Sequence, residues 1–109
     1  MPNQIDSAFA ALADPTRRAV VERLGNGPAS VSALAEGFTM AMPSFLQHVR
    51  VLEGAGLVRT EKQGRVRTCT LEPLALAAVE QWIIERRRAT EAGYDRLVKF
   101  LDAQEGDND

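Results

Sequence analysis

Between Ile5 and Leu52 apolar residues recur every three or four positions. From Leu57 to Leu71 they give way to residues of strand type, and from Leu74 to Leu101 the helical spacing returns. Ile5, Phe9 and Leu12 share one helical face, which predicts a short first helix over 5–12. Asp14-Pro15 then places a capping carboxylate before a proline at the first helical position, where the missing N–H costs nothing. The second helix is expected from there to about Leu24, with Val20 and Leu24 inward, and Gly25-Asn26-Gly27-Pro28 stops it. Ser30 caps a third helix through Ala35 or Glu36 that turns Val31 and Leu34 to the core, with Gly37 as a left-handed terminal residue. Only Phe38, Thr39 and Met40 separate it from a fourth, Ala41 to Ala55, whose buried stripe is Met42, Phe45, Val49 and Leu52. Pro43 lies in its first turn, where it is tolerated. Two helices joined by so short a turn form a helix-turn-helix pattern.

Gly56 ends the fourth helix, and the next two runs read as a β-hairpin. They are Leu57 to Lys62 and Arg65 to Leu71, rich in valine and threonine and turning at Gln63-Gly64. From Pro73 to about Asp102 a last helix carries Leu76, Val79, Ile83, Arg86, Thr90, Leu97 and Leu101 on one stripe, with Trp82 beside it and Gly93 as a candidate bend. The order ααααββα is mainly α with a small β-hairpin, a winged helix-turn-helix. Residues 1–104 are expected to form that domain, with dimerisation helices at both ends, and 105–109 an acidic disordered tail.

Composition narrows the class further. With 109 residues there is room for one small domain, and no apolar run approaches the roughly 20 residues a membrane helix needs. Met1 to Ser7 holds no basic stretch followed by an apolar one, so no secretory signal is expected. The lone Cys69 cannot form an internal disulfide and suits a reducing cytoplasm. The net charge of −2 conceals an uneven distribution. Between Ala41 and Thr70 the basic Arg50, Arg59, Lys62, Arg65 and Arg67 face only Glu53 and Glu61, whereas the last residues are acidic. A locally basic segment in an acidic chain suits contact with phosphates, although charge alone leaves a solvated hairpin equally open.

Two blocks give a specific resemblance. Ala11-Leu12-Ala13-Asp14-Pro15-Thr16-Arg17-Arg18 and the run from Met40 to Val58, MAMPSFLQHVRVLEGAGLV, resemble the opening and the recognition helix of ArsR-type repressors. The likeness is strong over about Phe9 to Leu71 and looser in the last helix. It implies a cytoplasmic, dimeric repressor that reads an inverted repeat in double-stranded DNA, with recognition helices about 34 Å apart. The family commonly has serine at the positions of Ala41 and Leu46, so this chain's base preference is expected to differ.

On the fourth helix, burial of Phe45, Val49 and Leu52 sends Pro43, Gln47 and Arg50 outward, flanked by Ser44 and Leu46. Glutamine pairs with adenine, serine with several base edges, and leucine or proline with a thymine methyl, while Arg50 suits phosphate. His48, at the edge of the core face, is read as packed or phosphate-contacting rather than as a metal ligand, since the chain has no second histidine. Lys62, Arg65 and Arg67 would lay cations along the DNA backbone or in a narrow minor groove, and a merely solubilising edge is the alternative. Ile5, Phe9, Leu76, Val79, Trp82, Ile83, Arg86, Thr90, Leu97 and Leu101 are the expected dimer interface, with an intrachain core helix as the alternative for the last stripe.

Metal-sensing relatives carry paired thiols at the start of the third helix, where this chain reads Pro28-Ala29-Ser30-Val31-Ser32-Ala33. The last helix has no histidine, so neither kind of metal site nor any cofactor is expected. Cys69 reads as a small buried hydrophobe, with redox sensing as a lesser reading. No GxSxG, phosphate loop or apolar carboxylate pair supports an enzyme. Two alternatives stay open: a winged-helix protein-interaction module, and a repressor gated by a small organic ligand held near Phe9, Trp82 and Tyr94.

Overall fold

The computed structural model describes residues 4–106. Five helices and three strands follow in the order α1 (Gln4–Leu12), α2 (Pro15–Leu24), β1 (Ala29–Ser30), α3 (Val31–Ala35), α4 (Met42–Gly54), β2 (Val58–Gln63), β3 (Val66–Leu71) and α5 (Pro73–Gly106). The winged helix-turn-helix is present with one addition, the two-residue β1. It pairs antiparallel with β3 through Ala29–Cys69 and Ser30–Thr68, so the sheet is three-stranded in the order β1-β3-β2. A strand this short has no alternation to read, and Pro28 before it signals only a break.

Capping residues set the helix starts. Asp14 is extended (φ −100°, ψ 132°), and its Oδ1 accepts from the N–H groups of Thr16 at 2.8 Å and Arg17 at 3.2 Å. Ser30 Oγ accepts from Ala33 N–H at 3.1 Å at the head of α3. The end of α3 departs from expectation: its cap, Glu36, is right-handed, and Gly37 has no positive φ. Gly37 N–H instead reaches back to Leu34 C=O and Phe38 N–H to Ala35 C=O, so the turn tightens without a left-handed residue. Gly56 does take φ +76° after α4, and an added Cβ there would stand 3.2 Å from Gln4 Nε2. The hairpin tip is Gly64-Arg65, one residue beyond the expected Gln63-Gly64, because Gln63 pairs with Val66. Gly64 supplies the positive φ (+63°) that the first position of a two-residue hairpin loop of this kind requires.

Residues up to Val79 form one compact unit and those from Glu80 a second. In the first unit Phe45, Leu52 and Leu57 are fully buried, with Val20, Leu24, Leu34, Val49 and Cys69 among them. Two side chains, Met42 and Val79, lie elsewhere than expected, and α1 fills the core with alanines that the periodicity passed over. Met42, expected in the α4 stripe, is exposed, because it sits at the first residue of the helix and off the centre of the Phe45–Val49–Leu52 line. On α1 the buried residues are Ala8 and Ala11, while Phe9 is exposed: alanines allow the close approach to α4 that a phenylalanine would block. Val79, expected on the dimer face, is buried in the chain's own core beside Ala75.

The second unit is the remainder of α5. Its helix passes through Gly93 without interruption and continues through Gly106, beyond the boundary expected at residue 104, because Ala103-Gln104-Glu105 are good helix formers. Of the expected acidic tail, Asp107 to Asp109 lie outside the described residues.

The Asp14 cap has a pH signature. Burial pushes its carboxyl up, but the Arg17 N–H, the nearby His48, the Thr16 N–H and the Arg17 charge outweigh this, and it titrates below its ordinary 3.8. A depressed carboxyl stabilises the fold above its unfolded pKa and loses that contribution as pH falls through the lowered value. Asp14→Ala should therefore lower the urea midpoint at neutral pH, and the gap to wild type should close through the acid range. Asp14→Asn, which keeps an accepting oxygen, should retain most of the neutral-pH stability.

Candidate nucleic-acid interface

The inner face of α4 is held by Phe45, Val49 and Leu52, and Phe38 from the preceding turn packs on Phe45 with ring centroids 5.4 Å apart. What remains faces outward: Pro43, Ser44, Gln47 and Arg50 are exposed, and Leu46 is half-buried. Pro43 occupies the first turn, and Ala41 before it caps the helix without a side-chain hydrogen bond. The predicted outward face is thus a continuous surface of a single helix.

The wing stands beside it. Between α4 and the hairpin runs a cleft of about 300 Å³ lined by Leu46, Val49, Arg50, Glu53, Thr60 and Arg67. One hydrogen-bonded chain crosses it. Thr60 gives both its N–H and its hydroxyl to Glu53 Oε2, and Arg67 Nη1 donates to Thr60 Oγ1 at 3.0 Å. Glu53 thereby ties the base of the wing to the end of α4, and Arg67 spends one donor on that tie. Arg59 is drawn the other way, to Glu72 at 2.9 Å and Glu61 at 3.8 Å. Arg50, Lys62 and Arg65 are exposed, and among the described residues none has a hydrogen bond or ion pair. Of the cations on α4 and the hairpin, these three are left available to an external anion.

His48 sits differently from its neighbours. It is half-buried, with Nδ1 3.1 Å from Arg17 Nη1 and 3.8 Å from Asp14 Oδ1. Arg17 also donates from Nε to Ala11 C=O at 2.6 Å and from Nη2 to Ala10 C=O at 3.3 Å, closing the end of α1. Sequence reasoning assigned Arg17 no role. Its signal lay in the spacing of Asp14 and Arg17 around a helix start, but the contact with His48 joins residues far apart in the chain.

Of the expected dimer residues, Ile5 and Leu76 are half-buried. Phe9, Trp82, Ile83, Leu97 and Leu101 are exposed large apolar side chains, as is Tyr94. Arg86 lies 5.1 Å from the Trp82 ring and 3.6 Å from Glu85, and Thr90 Oγ1 donates to Arg86 C=O. Among the described residues no helix is long and apolar enough to cross a membrane.

Comparison with known proteins matches this arrangement. A helix-turn-helix domain model matches residues 12–61. The chain is 40% identical over 93 residues to the HTH-type transcriptional regulator Rv2034 of Mycobacterium tuberculosis, covering 85% of this chain and 87% of the relative. It is 26% identical to the transcriptional repressor SdpR of Bacillus subtilis, over 73% of this chain and 89% of that protein. A crystal structure of an ArsR family transcriptional regulator superimposes with a TM-score of 0.79 at 54% identity, covering 84% of this chain and 94% of that one.

Cys69 is buried in β3. Burial raises its pKa, the Glu53 charge adds to the rise, and Arg67 offsets part of it. A thiol held in its neutral form reacts slowly. Native protein in mildly alkaline buffer should therefore resist a thiol-disulfide reagent that labels the urea-unfolded chain at once. Rapid labelling of the native state would refute the buried placement.

Proposed function

The chain belongs to the ArsR family of winged helix-turn-helix transcriptional regulators, and from that premise we propose that it is a dimeric repressor that reads an inverted repeat and is not gated by metal. One observation carries the reading: α4 buries one stripe completely and exposes Pro43, Ser44, Gln47 and Arg50 on the opposite face, beside a wing whose Lys62 and Arg65 have no partner among the described residues. A helix so presented fits the major groove, where Gln47 pairs with adenine and Ser44, Pro43 and Leu46 meet neighbouring edges and methyls. Arg50, Lys62 and Arg65 bind backbone phosphate, as does His48 from the flank of α4, and Arg67 adds its charge from the base of the wing.

Support for the dimer comes from the last helix. Beyond Val79 it has no core of its own, yet Trp82, Ile83, Tyr94, Leu97, Val98, Phe100 and Leu101 are exposed along it. A lone helix in water gains little from propensity and needs a packed face to persist, and a second copy supplies one. Phe9, left outside the core by Ala8 and Ala11, extends the same demand to α1. Residues 1–104 would then work as one DNA-binding and dimerising domain. Repression follows from occupancy of an operator, as the name of the Bacillus relative suggests.

Metal independence rests on the ligand inventory. The chain has one thiol and one imidazole; the thiol is buried in β3 and the imidazole is engaged by Arg17. Soft-metal sensing needs several such ligands in tetrahedral reach.

Sedimentation should show a dimer at micromolar concentration, bound as one dimer per operator. Lys62→Ala and Arg65→Ala should weaken binding to operator and scrambled duplex alike, and each should reduce the slope of log affinity against log salt by about 0.9. Gln47→Ala should instead alter the preferred base at one position of each half-site. Equal loss on both duplexes for Gln47→Ala would remove it from base readout.

Stoichiometric Zn²⁺ should leave the anisotropy of labelled operator bound to the protein unchanged. Release by Zn²⁺ that Cys69→Ser abolishes would overturn metal independence.

A further inference from the structure

Among the described residues, His48 is the one on α4 whose side chain is bound by another helix through a charged group, and the consequence for its own chemistry is specific. Arginine has donors and no acceptor. With Arg17 Nη1 at 3.1 Å, Nδ1 of His48 can enter that hydrogen bond only as an acceptor, so Nδ1 carries no proton. The carboxylate that could draw a proton to Nδ1 is Asp14, but its Oδ1 lies at 3.8 Å, outside hydrogen-bond reach, and already accepts from two backbone N–H groups. The proton of the neutral ring is therefore on Nε2, since the bond made by one ring nitrogen sets the state of the other. Nε2 has no partner among the described residues, yet no side-chain nitrogen or oxygen is both buried and unpartnered, so Nε2 reaches solvent. It does so from the flank of the helix whose exposed residues include Gln47 and Arg50.

Arg17 is held as firmly as it holds. Its Nε and Nη2 bind the carbonyls of Ala11 and Ala10, which end α1, so its guanidinium bridges the C-terminus of α1 to the middle of α4. A lysine could not make three such bonds in a plane. We propose that Arg17 is a positioning residue for DNA binding: it fixes His48 as the Nε2–H tautomer and aims that N–H at a phosphate oxygen of the duplex. Asp14 serves the same arrangement by capping α2 beside Arg17. The proposal rests on the DNA-binding reading above and adds to it a residue that need touch no DNA itself.

The tautomer is measurable without DNA. Long-range ¹H–¹⁵N correlation spectra of the free wild-type protein should show His48 with an unprotonated Nδ1 and a protonated Nε2, and Arg17→Lys should give mixed tautomers. Binding is then tested on a duplex selected by the wild-type protein from a random pool. Arg17→Lys should weaken it roughly tenfold, the loss of one charge-assisted or well-aligned hydrogen bond. In a His48→Phe background the same change should alter affinity by less than about twofold. His48→Gln, whose amide N–H can replace Nε2–H, should keep more affinity than His48→Phe. Helical circular dichroism confirms that each variant is folded. An Nδ1–H tautomer in the wild type, or equal loss from Arg17→Lys in both backgrounds, would overturn the proposal while leaving the DNA-binding reading intact. Failure of the wild type to select any duplex would overturn both readings, and the tautomer spectra would still report whether Arg17 sets the ring.

Discussion

Everything at the surface of α4 depends on the burial of its opposite side. Phe45 and Leu52 are fully excluded from water and Val49 nearly so. At about 1.5–3 kcal/mol for each large side chain removed from solvent, their burial dominates any preference of the polar face. A helix is rigid in cross-section, so fixing one stripe fixes the direction of every other residue on it. Gln47 and Arg50 point outward because Phe45, Val49 and Leu52 must point inward. The outward surface needs no stabilisation of its own, and its residues are free to vary in chemistry without changing the fold.

Burial sets the rotation of α4, while a few polar contacts set its neighbours. Glu53 at the end of the helix holds Thr60 of the wing, and Thr60 in turn holds Arg67. Near the middle of the helix, Arg17 holds His48 while binding the last carbonyls of α1. Both ties are part-exposed, so their net contribution to stability is small. Their value is geometric, since a directional bond excludes alternative side-chain poses that apolar packing tolerates. On α4 and the wing the cations without such ties are Arg50, Lys62 and Arg65, which hold nothing among the described residues.

Much of this arrangement was legible in the sequence because its signals are local. Asp14-Pro15 and Ser30 announce helix starts through bonds made within three residues, and Gly64 announces a tight turn. The failures are equally physical. Periodicity marked Ile5, Phe9 and Leu12 as the apolar face of α1 and passed over Ala8 and Ala11, which fill the core, because it weighs hydrophobicity and cannot see how closely α1 approaches α4. It placed Val79 on an outer face, although the start of the α5 stripe, at Ala75 and Val79, serves the chain's own core. The two-residue β1 exists only through β3, and the Arg17–His48 contact spans thirty-one positions. Which residues of α4 face outward was thus readable, but the bonds that orient its neighbours were not.

The strand order β1-β3-β2 has a further consequence. β3 is the middle strand, with β1 on one side and α2 and α3 packed near it, so the long outer edge of the sheet belongs to β2, where Glu53 takes the N–H of Thr60. An edge of unpaired backbone N–H and C=O groups is a template for a strand of another molecule, and such pairing propagates into aggregates. Along β2 the residues run Arg59, Thr60, Glu61, Lys62 and Gln63, with no large apolar side chain after Val58. A strand that approached this edge would have to desolvate charges of both signs. The lysine proposed to meet phosphate is also one of the residues that keeps the sheet from growing, so a substitution that made the wing apolar would expose the cell to insoluble protein as well as to a weakened regulator.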